Sequence, residues 1–139
     1  MCSAARLLRD RSSVISVLVR NPAGEVLKAA IKDGDLGAAE NNLTAAWAHE
    51  SLYGGKVRLF TTKSLRAALL ESLLKVTSER GVRVMSDYLP PKVSRSDEYE
   101  QILALERKLG MRPEFAAVAR YTHIVAHRVD TDSLMKDGR

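Results

Sequence analysis

The sequence holds a single cysteine, Cys2, which excludes an internal disulfide framework. Aromatic residues are sparse: one Trp, four Tyr and two Phe, none alternating with basic residues. That scarcity argues against a platform on which nucleic-acid bases would stack. No apolar run approaches the roughly 18–20 residues that a membrane-spanning helix needs. A Gly-x-x-x-x-Gly-Lys phosphate loop is missing, and Tyr53-Gly54-Gly55-Lys56 is too short to stand in for one. There is no nucleophile elbow either. With no catalytic motif, the expectation is a non-enzymatic chain without a cofactor.

What is present fits one domain. The chain has 139 residues, of which 45% are hydrophobic and 28% charged. A chain of this size buries about two-thirds of its unfolded surface, and this one is too apolar to be disordered. Lys and Arg number 22 against 17 Asp and Glu, a formal charge of +5. Such an excess favours acidic partners: nucleic acid, an anionic membrane surface or an acidic protein. The charge is concentrated at the start, where Arg6, Arg9, Arg11 and Arg20 face one acid, Asp10, among several serines. An Arg- and Ser-rich, acid-poor start reads as a transit-like or docking segment of a mitochondrial or plastid protein.

Helical signals follow. Asn21 is placed to cap a helix with Pro22 in its first turn, over residues 22–33, and Gly34 ends it. Asp35 caps a second helix over 36–51, with Leu36, Ala39, Leu43, Ala46 and Trp47 at helical spacing. A competing reading makes 14–20 a strand that turns through Asn21-Pro22-Ala23-Gly24 into a hairpin. Residues 56–60 form a short extended link, and Thr61 or Thr62 caps a long helix over 63–80 with Leu65, Leu69, Leu73 and Val76 as its stripe, widened by Leu70 and Leu74. Pro90-Pro91 interrupts, Ser94 or Ser96 starts a helix that stops at Gly110, and Pro113 opens a last helix to Val129. The expected class is all-α, antiparallel helix pairs in a repeat-like or irregular bundle of about five to six helices. Its organisation reads as a basic arm over 1–21, a helical domain over 22–129 and a polar tail over 130–139.

Two stretches carry a resemblance. Residues 26–40 place Gly34 between two helices, with Ala38 and Ala39 permitting close approach, and residues 99–121 contain Leu-Gly-Met-Arg-Pro-Glu-Phe at 109–115. Both resemble turns of tetratricopeptide- and pentatricopeptide-type repeats, over about a third of the chain. The resemblance implies stacked helix pairs that bind protein or RNA; the base-reading positions of the pentatricopeptide code are not assigned.

His123 and His127 share a helical face, a spacing compatible with a metal, but no third ligand lies near and no metal site is expected. With Arg120 they make a basic, partly titratable strip opposite a core stripe of Phe115, Val118, Thr122, Val125 and Val129. The candidate partner-binding residues are therefore Arg6, Arg9, Arg11, Arg120, His123 and His127. The expected function is that of a non-catalytic accessory subunit in a large organellar assembly, bound to other protein subunits through helical surfaces and the basic N-terminal arm, with peripheral association with a membrane complex as one setting. The alternative is RNA binding in organellar RNA metabolism or the ribosome.

Overall fold

The computed structural model describes residues 5–10, 12–50, 53–90 and 96–129. Cys2, Arg11 and the tail 130–139 lie outside the described residues.

Val14–Arg20 forms strand β1. Asn21 then starts helix α1, Pro22–Leu27, its side chain accepting from Ala23 N–H. The chain continues through a π-helical turn over Lys28–Lys32. Gly34 turns at φ 67°, a conformation that costs glycine nothing. Asp35 caps α2, Leu36–Asn42, accepting from Ala38 N–H at 2.9 Å. A two-stranded hairpin follows, β2 (Trp47–His49) with β3 (Lys56–Arg58). Thr61 caps α3, Thr62–Glu71, through Ser64 N–H at 3.1 Å. Strand β4 (Leu74–Val82), a 3-10 turn at Ser86–Tyr88, α4 (Tyr99–Gly110), α5 (Pro113–Ala116) and β5 (Tyr121–Arg128) complete the order.

The main sheet is antiparallel, in the order β1-β5-β4. Its inward side chains, Ile15, Val17, Val19, Ile124, Ala126 and Val76, meet Leu65 and Leu69 of α3 and Leu8 of the N-terminal segment. Leu65, Leu69, Leu74 and Ile124 are fully buried, and each contributes about 1.5–3 kcal/mol by leaving water.

The all-α expectation is thus overturned: the chain is mixed α/β with two antiparallel sheets, and a continuous helical-repeat array is excluded. The helix expected over 36–51 stops at Asn42, with strand β2 inside its range, and two further expected helices end early and continue as strands. The first of these two stops at Glu71, Leu73 adopts φ 58°, and the chain proceeds as β4. The second stops at Ala116, and β5 takes over from Tyr121. In β5 the buried residues are Thr122, Ile124 and Ala126, a period of two. β-branched Thr122, Ile124 and Val125 suit a pleated sheet better than a helix. Leu73, expected in the buried stripe, and Leu70, expected to widen it, are 56% and 67% exposed, and Trp47, expected on the apolar side of the second helix, is 56% exposed. Val14–Arg20, placed in the basic arm by the sequence, is a sheet strand; the competing strand reading anticipated it, but Pro22–Leu27 is helix and no hairpin forms there. None of the described helices is long and apolar enough to cross a membrane.

Candidate functional site

Residues directly opposite one another in an antiparallel pair project to the same face. Across the outward face of the main sheet the rows are Val14–His127–Lys75, Ser16–Val125–Ser78, Leu18–His123–Arg80 and Arg20–Tyr121–Val82. Among these residues there is no carboxylate. Glu79 has inward parity, opposite Ile124, and pairs with Arg66 of α3 at 2.6 Å.

This face is open. Val14 and Leu18 are 60% and 58% exposed, and Ser16, Lys75 and Ser78 are exposed as well. His123, Val125 and His127 are half-buried on the central strand. Ser16 Oγ and His123 Nε2 share a hydrogen bond of 2.8 Å, which fixes the ring against β1. Arg20 closes one end, donating to His49 O at 3.1 Å and to Glu50 Oε2 at 2.5 Å. There Leu18, Arg20, Val57, Arg58 and Tyr121 border a cavity of 330 Å³.

His123 and His127 therefore share a face, as expected, but along a strand. Their spacing is about 13 Å from the strand rise, with Val125 between, rather than one helical turn. Among the described residues no group of three or more His, Cys, Asp or Glu is placed to hold a metal ion.

Arg120 does not join them. Its side chain is 6% exposed, set between Glu25 Oε1 at 3.4 Å and Asp87 Oδ2 at 3.7 Å. Asp87 also pairs with Arg83 and, at 4.0 Å, with Lys32. Asn21 builds this cluster: its Nδ2 donates to Ala117 O at 2.8 Å and Ala119 O at 2.9 Å, pinning the turn before Arg120 against α1. Burial pushes the neighbouring Tyr88 phenol above its ordinary value, with Asp87 and Glu25 adding to the shift and Arg120 opposing it. The arrangement joins α1, the 3-10 turn and β5 in the interior, so Arg120 is a structural residue, contrary to its expected surface role.

Arg6 and Arg9 are exposed on either side of buried Leu8. Leu8 packs in the helical layer beneath the sheet, so these arginines lie on that side and not with the histidines. Arg11, also expected to bind partners, lies outside the described residues.

Val14, Leu18, Lys75 and Arg80 were not among the expected site residues. The signal for Val14 and Leu18 was the β-branched run in Val14–Arg20; Lys75 and Arg80 lie in β4, whose residues carried no such signal.

No protein-family model matches the chain, and no curated protein matches it.

Proposed function

We propose that this chain is a non-catalytic accessory subunit of a larger assembly, seating an acidic protein surface on the open face of its three-stranded sheet. The observation that carries the reading is the composition of that face: exposed Val14 and Leu18 beside Lys75, Arg80 and the two histidines, with no carboxylate among the outward strand residues. A solvated sheet face is ordinarily polar; apolar side chains rimmed by charge of one sign suit a partner. Sheets that bind single-stranded RNA stack bases on aromatic residues, and here the outward rows offer only half-buried Tyr121. The Arg- and Ser-rich start supports an organellar setting.

The test is a native pull-down of the tagged chain with and without ribonuclease, read by mass spectrometry, beside the variant Leu18→Glu/Lys75→Glu. A fixed set of proteins that survives ribonuclease and is lost from the variant supports the reading. Partners that vanish with ribonuclease overturn it in favour of RNA binding.

A further inference from the structure

At the β4 edge of the sheet face, where Arg80 and Val82 belong to both, a cleft of about 410 Å³ lies between the end of β4 and α4, within the roughly 300–1,000 Å³ typical of small-molecule sites. Its apolar wall is mainly aliphatic: Val82, Leu89, Ile102 and Leu103. Its charged members are Arg80, Arg83, Arg107 and Glu106.

The one carboxylate among them is fully engaged. Glu106 Oε2 accepts from Val84 N–H at 2.8 Å, and Oε1 accepts from Met85 N–H at 3.0 Å and Ser86 N–H at 2.8 Å. The arginines are not matched in this way. Arg107 has no ion-pair or hydrogen-bond partner among the described residues, and Arg80 donates only to Met111 Sδ, at 3.4 Å. A thioether is a weak acceptor and leaves that charge uncompensated. Arg83 shares Asp87 with Lys32 and Arg120, so one carboxylate serves three cations. Arg83 also holds φ 58°, a backbone conformation uncommon for a residue other than glycine.

We infer that the cleft binds a small amphiphile with an aliphatic chain and a single anionic head, the chain against Ile102, Leu103 and Leu89 and the head at the guanidinium groups of Arg107 and Arg80. Charge complementarity selects the head and the aliphatic wall selects the tail. An acidic polypeptide would satisfy the arginines but leave the wall empty, and a neutral lipid would do the reverse.

The full-length chain, with isotope-labelled methyl groups, is titrated with decanoate, decyl phosphate and decanol below their aggregation limits and followed by NMR. The expected result is saturable shifts at the Ile102 and Leu103 methyls with decanoate, decyl phosphate or both, the active compound naming the head. Loss of one charge-assisted contact in Arg107→Gln should weaken binding about tenfold, and decanol should bind more weakly than the anions. Arg107 is exposed, so its replacement leaves the remaining spectrum unchanged and the comparison valid. The inference is overturned by the absence of saturable shifts with either anion, by decanol binding as tightly as they do, or by undiminished binding in Arg107→Gln/Arg80→Gln. Arg80 belongs also to the outward rows of the sheet, whereas Arg107 does not, so the single variant Arg107→Gln tests the cleft apart from the sheet face.

Discussion

Arg120 and Asp87 meet inside the protein, guanidinium Nε to carboxylate Oδ2 at 3.7 Å, with side chains only 6% and 3% exposed. Glu25 completes the pairing from α1, so elements distant in sequence converge on one buried cation. Such a cluster contributes little net stability relative to an apolar replacement, but losing one member strands the others.

Replacing Arg120 with Met should therefore cost about 3–5 kcal/mol, measured as a shift in the urea midpoint. Adding Glu25→Leu to that variant should restore part of the loss, because the stranded carboxylate nearest α1 is then gone. A double-mutant cycle reads the coupling, expected at about 0.5–3 kcal/mol for residues in contact.

Gly24 is a second fixed point. A Cβ there would lie 2.5 Å from Ala119 O and 2.6 Å from Arg120 Cα, both backbone atoms. Gly24→Ala must push α1 away from the turn that carries Arg120, at a cost of about 1–3 kcal/mol. Thermal unfolding should show the loss, whereas Gly55→Ala, where a Cβ meets open space, should unfold close to the parent.

Glu106 holds three consecutive backbone amides, those of Val84, Met85 and Ser86. Glu106→Ala removes the acceptor for all of them and should cost about 1–3 kcal/mol. Hydrogen exchange should quicken at these amides first, while exchange in β5 stays slow.

Tyr88 gives the alkaline limit. Burial raises its phenol above the ordinary value of 10.0, so the folded state retains the proton that the unfolded state releases. Its contribution to stability is complete below pH 10.0 and is lost as pH rises through the folded value. An ultraviolet phenolate titration should show one tyrosine ionising late, and Tyr88→Phe should remove that step and lessen the fall in Tm above pH 10.0.

The sequence is legible where local chemistry decides. Asn21, Asp35 and Thr61 cap helices as their side chains and positions indicate, and Gly34 makes its turn. It is misleading where a helix and a strand share one apolar run. From Leu65 to Val76 the leucines keep helical spacing past the point where Leu73 turns left-handed and the chain becomes β4. β5 hides similarly: His123 and His127 share a face at four-residue spacing in either structure, so that pattern cannot distinguish them. Deciding required Thr122, Ile124 and Ala126, whose period of two is apparent once their burial is known. Arg120 was misplaced for the same reason, since its acidic partners at 25 and 87 are brought to it only by the completed fold.

Lys75 and Arg80 are separated by an odd number of positions, and strict alternation would send them to opposite faces. The register shift between Val76 and Ser78 leaves Thr77 over, and both cations flank the β5 histidines on one side. β4 thus carries a spare residue. Shortening the chain by one at Thr77 would straighten the strand and keep every side chain where it is. A single deletion or insertion elsewhere in β4 would turn part of it over, bringing Glu79 to the open face and sending Arg80 inward. The charge of that surface is therefore a matter of counting as well as of composition, and the bulge marks where this strand tolerates a change of length.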